Sequence, residues 1–575
     1  MMYQQRSRSV HQAIRLWLFW LALLPLAAAE SPFPLRMASG ETDLARYRDA
    51  GANIVALGTG AGLTQLATYA EVAPTALPAN HPLRIEIERR REEFRAQIRE
   101  AARLGLAVCI GTDEIQIPTP VFDVLRSSIT RADDPRRVDL EKEEFWKIYR
   151  AKYREVLRAF PEIAYVQVRT GENYSHLLNG YTGLLIAEKD FSPTRSDAYV
   201  RNMQRLINET RRIVVDEFHR KLIWRTWDLG NFGFHANPAV YDRVFGGIRN
   251  REGLIVSIKY THTDFWRYND FNPNIGRGGL DQIVEFQCAR EYEGKGAFPD
   301  YVGEEHAAAM RYIRERGAKG VSIWHFGGGW GGPHLKNDRW VRLNIYATSR
   351  LAQDPNLSPR RLAEEWAAKE FGAKAAGRVA DMIMLSDDCV LAFNYIAPYA
   401  RRHEGWLPNR NILRDDIIRG ERQLGGEGGL RLLYEGSKDA LDEACAEKRR
   451  SVELAARMLS MFEAARDDIV AERGNQTYTE ARNSLVYLHS LATVVSHYTQ
   501  GMFRYYQWKD TGAEAARRAA REELDLWRRT WDSYRANIPR LEGTASLYRS
   551  QNSQRPDSTE GAMEWSCEAA SLSTR

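Results

Sequence analysis

Eight strand-like runs separated by helical patterns, then helical pattern alone from residue 356 onward, predict a (β/α)8 TIM barrel followed by an all-α C-terminal domain. The strand candidates are PLRMAS (34–39), ANIVALG (52–58), GLAVCIGT (105–112), AYVQVRTGE (164–172), KLIWRTW (221–227), LIVSIKY (254–260), QIVEFQC (282–288) and GVSIWHFG (320–327). Each is a short, largely apolar run, as buried parallel strands can be. TDLARYRDAG follows the first. RIEIERRREEFRAQIREAARLG precedes the third, EEFWKIYRAKYREVLRAF the fourth, DAYVRNMQRLINETRRIVVDEFHRK the fifth and EEHAAAMRYIRERGAKG the eighth, all with apolar residues at helical spacing. A doubly wound sheet would also alternate, but it should carry a glycine-rich phosphate turn, and LGTGAG (57–62) lacks the full fingerprint and a clear following helix.

Past 356 the helical patterns are SPRRLAEEWAAKEFG, DALDEACAEKRRSVELAARMLSMFEAARDDIVAE, EARNSLVYLHSLATVVSHYTQGMFRYYQW and AEAARRAAREELDLWRRTWDSYRANI. The domain reading is a signal peptide over 1–29, a catalytic barrel over 30–355, a helical domain over 356–549 and a polar, Ser-rich and poorly ordered tail over 550–575. The signal peptide rests on Arg6, Arg8 and Arg15, the apolar run LWLFWLALLPLAAA and the small residues Ala27-Ala28-Ala29. It predicts export to the periplasm or the exterior, with no stable membrane insertion after cleavage near Glu30. The 81 basic and 76 acidic residues are evenly spread, which argues against a nucleic-acid partner. Five cysteines without a CxxC pair read as buried thiols.

In such a barrel, chemistry belongs at the C-terminal ends of the strands. There the fourth candidate ends in Arg169 and Glu172, the fifth carries Arg225 and then Asp228, and the sixth carries Lys259 with Asp264 beyond it. The seventh carries Glu285 and Gln287 between Val284 and Phe286, and the eighth carries Trp324 and His325 before Gly327-Gly328-Gly329-Trp330. A carboxylate inside a buried strand is costly unless paired or used. One such acid alone reads as a rim salt bridge. Three acids with two cations and aromatics on one rim read as a site for glycoside hydrolysis, in which one acid protonates the leaving oxygen and another serves water or attacks the sugar. His262, Asp264, His325 and His334 could start a metal site, but the early HxH pair of metal-dependent barrel hydrolases is absent, so hydrogen-bonding histidines are expected and no cofactor is called for.

These residues carry a resemblance. IKYTHTDF (258–265), VEFQCAREYEGKG (284–296) with Tyr301-Val302-Gly303, PLRM (34–37) and DRWVRLNIYATSRLAQDPNLSPRRLAEEWAAKEFG (338–372) resemble segments of glycoside hydrolase family 67, the α-glucuronidases, over residues 34–372. The resemblance implies that Glu172 is the general acid and that Asp264 and Glu285 position and deprotonate the attacking water. It also implies that Arg225 and Lys259 hold the uronic carboxylate, with Arg169 near the acid; Trp324 and His325 complete the substrate-binding set. The expectation is an exported, inverting exo-glycosidase acting on an acidic oligosaccharide. The alternatives are a same-fold glycosidase for another acidic sugar, a non-catalytic carbohydrate-binding barrel and a metal-dependent hydrolase. An oligomer is compatible with the sequence.

Overall fold

The computed structural model describes residues 31–58, 62–171, 179–186, 196–227, 233–326, 337–402, 428–543 and 560–575. Ten strands lie among them: β1 (Leu35–Ser39), β2 (Ile54–Leu57), β3 (Ala107–Asp113), β4 (Gln116–Pro118), β5 (Ile163–Arg169), β6 (Tyr181–Gly183), β7 (Lys221–Arg225), β8 (Leu254–Lys259), β9 (Asp281–Gln287) and β10 (Gly320–Trp324). Eight of them close into a parallel barrel in the order β1-β10-β9-β8-β7-β5-β3-β2, and these are the eight strands that the sequence predicts. β4 and β6 form a separate antiparallel pair. At three residues each, they are too short to show a period.

The helices Pro82–Arg103, Glu143–Ala159, Asp197–Arg211 and Gly303–Glu315 form where the apolar spacing places them. A further helix, Pro238–Gly246, lies between β7 and β8. Its start is a side-chain cap: Asn237 Oδ1 accepts from the N–H groups of Ala239 and Val240, with proline in the first turn, where its missing donor costs nothing.

Alternation along the strands sorts the side chains between two cores. Met37, Ile54, Ala56, Cys109, Ile223, Ile255 and Ile283 cluster as an apolar plug inside the barrel. Trp224, Val256, Val284 and Phe286 point outward against the helices. The inward register then continues upward from Ile223 to Arg225, from Ile255 to Ser257 and Lys259, and from Ile283 to Glu285 and Gln287. The polar residues therefore sit directly above the plug, at the C-terminal ends of three adjacent strands. At the same rim Gly40, with φ +95°, lets the chain leaving β1 pass β10, because a Cβ there would lie 2.0 Å from the Phe326 carbonyl oxygen.

The C-terminal region is helical, with Pro359–Phe371, Ala376–Ile383, Ser386–Asn394, Leu441–Glu463, Arg466–Thr511 and Glu514–Asn537 as its main elements. Gly474, at φ +85°, breaks Arg466–Thr511 into two helices. One apolar core runs through both regions: Phe298 of the barrel meets Phe393 at 5.6 Å, and the Trp340 indole N–H donates to Ser484 Oγ at 2.8 Å. The poorly ordered tail expected from 550 needs correction at its end. Residues 560–574 form a helix that buries Cys567 and Ala570 and is tied down by Arg517, whose Nε donates to the Thr574 carbonyl at 3.0 Å. The small buried faces of Cys and Ala are a weak signal in a Ser-rich stretch. All five cysteines are buried free thiols. Among the described residues, no helix is long and apolar enough to cross a membrane. The expected signal peptide lies outside them.

Candidate active site

Parallel pairing of β7, β8 and β9 sets Arg225 beside Ser257 and Lys259 beside Glu285. Arg225 grips Glu285 with two parallel hydrogen bonds, Nε to Oε1 and Nη2 to Oε2, both 2.8 Å, and Ser257 Oγ donates to Oε1 at 2.6 Å. Burial alone would push the Glu285 carboxyl up. The charge of Arg225 and its hydrogen bonds, then the bond from Ser257, outweigh it and hold the group at about 2. Glu285 is therefore ionised at neutral pH although only 1% exposed.

A second ion pair stands next to the first. Lys259 Nζ binds Asp264 Oδ1, which also accepts the Phe265 N–H at 2.9 Å, and the Tyr292 hydroxyl donates to Oδ2 at 2.5 Å. Aromatic faces wall both pairs: Lys259 Nζ lies 3.2 Å from the centre of the Trp227 ring, and the Arg225 guanidinium lies 4.9 Å from that of Trp324. His235 packs edge-on against Trp227. Its Nδ1 shares a hydrogen bond of 2.8 Å with Thr226, and its Nε2 lies 3.0 Å from the Thr263 carbonyl. Burial and then the Lys259 charge push it down to about 3, so it is neutral. Replacing a buried ion pair by apolar residues is often neutral for stability. Two adjacent buried pairs at a barrel mouth are therefore not explained by stability alone.

The structure adds a carboxyl that sequence reasoning passed over. Glu291 follows β9 on a loop that turns through Arg290 at φ +52°, and its N–H donates to Gln287 Oε1 at 2.9 Å. Glu291 is half-buried. Burial and then the negative charge of Asp264 push its carboxyl up to about 7, against the pull of Lys259, Tyr292 and Lys295. The signal lay in VEFQCAREYEGKG, but an acid after the strand reads as an ordinary polar turn. Glu293, two residues on, has other partners: it pairs with Arg290 at 2.9 Å and accepts from the Tyr395 hydroxyl.

The remaining predicted residues divide. Trp324 joins the group as a half-buried ring beside Arg225. Arg169 is paired with Asp113 of β3, Nε to Oδ1 at 2.7 Å and Nη2 to Oδ2 at 2.5 Å. His325 alternates away from Trp324 toward the helix Arg339–Gln353. There its Nδ1 meets Glu41 Oε1 at 3.0 Å, Arg342 binds the same carboxylate, and Tyr47 packs on the ring. The structure thus keeps His325 apart from the Arg225 and Lys259 pairs. Glu172, Asp228, Gly327 to Trp330 and His334 lie outside the described residues. The His262 Nε2 lies 3.1 Å from the Ala236 carbonyl, and among the described residues no group of three His, Cys, Asp or Glu side chains is arranged to hold a metal.

The helical domain clamps the loops that carry these groups. Arg267, three residues past Asp264, pairs with Glu305 at 2.5 Å and with Asp387 of the helix Ser386–Asn394. Asn394 Nδ2 donates to the Tyr292 carbonyl at 2.9 Å. Beneath them the Asp300 carboxyl is pushed up, by burial first and then by the charge of Glu293.

No family model matches this sequence, and no curated protein does. Solved structures do match. A glycoside hydrolase of family 138 targeting pectin rhamnogalacturonan II is 12% identical, with a TM-score of 0.65 over 95% of this chain and 84% of its own. A family 89 glycoside hydrolase from Clostridium perfringens is 11% identical, with a TM-score of 0.46 over 95% of this chain and 64% of its own. A family 115 4-O-methyl-α-glucuronidase with specificity for decorated arabinogalactans is 9% identical, with a TM-score of 0.44 over 92% of this chain and 61% of its own. These neighbours are glycoside hydrolases. At such identities the first likeness shows a shared fold, a TIM barrel joined to a helical region. The likeness to family 67 rests on the motifs quoted above.

Proposed function

We propose that this chain is a glycoside hydrolase that releases a terminal uronic acid from an acidic oligosaccharide, as α-glucuronidases do. One observation carries the reading: two buried ion pairs and a third carboxyl, with acid strengths pushed far apart, gather at the C-terminal ends of adjacent barrel strands under tryptophan walls. Environments that separate the pKa values of neighbouring carboxyls are how one site runs acid and base chemistry together. Arg225 uses Nε and Nη2 on Glu285, which leaves Nη1 for the sugar carboxylate, and Trp324 offers an apolar face to the ring. Glu285, held ionised by Arg225, and Asp264, paired with Lys259, orient a water against the anomeric carbon. By the family resemblance, Glu172 protonates the leaving oxygen.

With no glycosyl–enzyme bond, the product should have the inverted configuration. The test is a screen of glucuronoxylan, arabinogalactan and rhamnogalacturonan II fragments, with proton NMR of the first sugar released. A retained anomer would overturn the water mechanism and keep the hydrolase; release of neutral sugars alone would overturn the acidic substrate. We also propose export, on the N-terminal segment. Secreted material should begin near Glu30 on N-terminal sequencing, and a mature cytoplasmic protein retaining Met1 would refute it.

A further inference from the structure

We propose that Lys259 is a positioning residue, a role that rests on the hydrolysis reading above: it tethers Asp264 to β8 in the orientation that serves the water, and it leaves the sugar carboxylate to Arg225. The family resemblance would place Lys259 on that carboxylate as well. Its surroundings point the other way. Lys259 is 4% exposed, and its ammonium has three donors. One of them binds Asp264 Oδ1. Three aromatic rings stand around the nitrogen: Nζ lies 3.2 Å from the centre of Trp227, 4.7 Å from that of Phe265 and 5.9 Å from that of Trp324. Ring faces attract a cation through their quadrupoles, so the ammonium is held there without a second polar partner.

Arg225 differs. It spends Nε and Nη2 on Glu285 and keeps Nη1 for a ligand. Lys259 spends its charge on an acid that needs a tether, because Asp264 stands on a loop five residues past the end of β8. The Asp264 carboxylate takes hydrogen bonds from three places: from Lys259, from the Phe265 N–H at 2.9 Å and from the Tyr292 hydroxyl, on the loop after β9, at 2.5 Å. Of these three donors, Lys259 is the one anchored in the barrel sheet, where the parallel register of β8 and β9 sets it beside Glu285. The ion pair therefore ties the acid on the loop to the strands that carry the acid in the sheet.

Without the ammonium, Asp264 loses the ion pair that offsets its burial at 5% exposure, and its side chain gains by turning toward solvent. Misplacing a reacting group by about 1 Å can slow the chemical step by about 10²-fold while the sugar still binds. Loss of a contact to the sugar carboxylate would instead weaken binding. The two roles of Lys259 therefore separate in kcat and KM.

Lys259→Met keeps an unbranched side chain among the rings and removes the charge. It should lower kcat on the acidic oligosaccharide by about 10²-fold, while KM and the Kd of free D-glucuronate, read by calorimetry, stay within about threefold of wild type. Lys259→Gln, whose amide still donates to Asp264, should show the same split with a smaller fall in kcat, and it serves as the test should the methionine form fail to fold. A larger rise in KM or in the glucuronate Kd would overturn the proposal and leave the hydrolase standing; about tenfold or more is expected if a charge-assisted hydrogen bond to the sugar carboxylate has been lost. A kcat within about threefold of wild type would overturn it too, since a displaced acid costs more than that. A wild type that turns over neutral sugars alone would remove the acidic substrate, and kcat and KM on the neutral one would then decide the tether. A wild type inactive on every fragment would overturn the hydrolase reading and the role of Lys259 with it.

Discussion

The Arg225→Ala variant is expected to lose about 3–5 kcal/mol of stability at neutral pH, because it leaves the Glu285 carboxylate buried and unpaired. The loss should depend on pH, with a sign that follows from the pair. In the wild type the folded-state pKa of Glu285 is depressed to about 2, below its unfolded value near 4.3. Its contribution is therefore present above the unfolded value and disappears as pH falls through about 2. Without Arg225 the strongest influence left is burial, which pushes the carboxyl up. Protonation then relieves the variant at acid pH, and the gap to wild type should be smaller at pH 4 than at pH 7. Urea unfolding at the two pH values measures this. The paired change Arg225→Met with Glu285→Leu should recover most of the loss, since it removes both charges. A deficit under about 1 kcal/mol at pH 7, the range of an exposed pair, would show that Glu285 is not held as the geometry indicates.

Asp264→Asn should be the more damaging change for turnover, with a fall of about 10²–10⁴-fold if its charge orients the water. Asparagine keeps the shape and some hydrogen bonding but removes the counter-charge of Lys259, which is 4% exposed. The second effect is on Glu291. Asp264 is one of the two causes that raise that carboxyl to about 7, so the variant should lower its titration as read by carboxyl-carbon NMR. A loss of activity without that movement would separate the effect of Asp264 on turnover from its effect on Glu291. The fold itself should survive, because the Phe265 N–H keeps the Oδ1 acceptor and the Tyr292 hydroxyl can turn to accept from the new amide.

The barrel was legible because its eight strands are short, largely apolar runs with helical patterns between most of them. The register was legible at Glu285, where polar residues interrupt Val284 and Phe286 on the inward side only. Arg225, Lys259, Asp264 and Glu285 converge because strand ends in a barrel must converge. Their mutual pairing was not readable, since which cation meets which acid depends on the register between β7, β8 and β9. His325 shows the limit of adjacency: one residue past Trp324 it faces a different set of partners. Glu291 was hidden for a related reason, because its turn is shaped by partners far away in the chain. β4, β6 and the helix Glu560–Thr574 lacked any periodic signature long enough to see.

The clamp between the two regions has a consequence for how the molecule is made. Tyr292 and Glu293 take hydrogen bonds from Asn394 and Tyr395, 102 residues further along, and Arg267 closes on Asp387 across 120 residues. During synthesis the eight strands are complete once β10 has emerged, yet the stretch from Asp264 to Lys295 still lacks the partners that shape it. Closing contacts over such distances is slow relative to local structure. The barrel is therefore expected to close before its mouth is finished, with competence arriving when the later helices dock. A released chain truncated after Gln353 should still close its barrel strands and be catalytically silent.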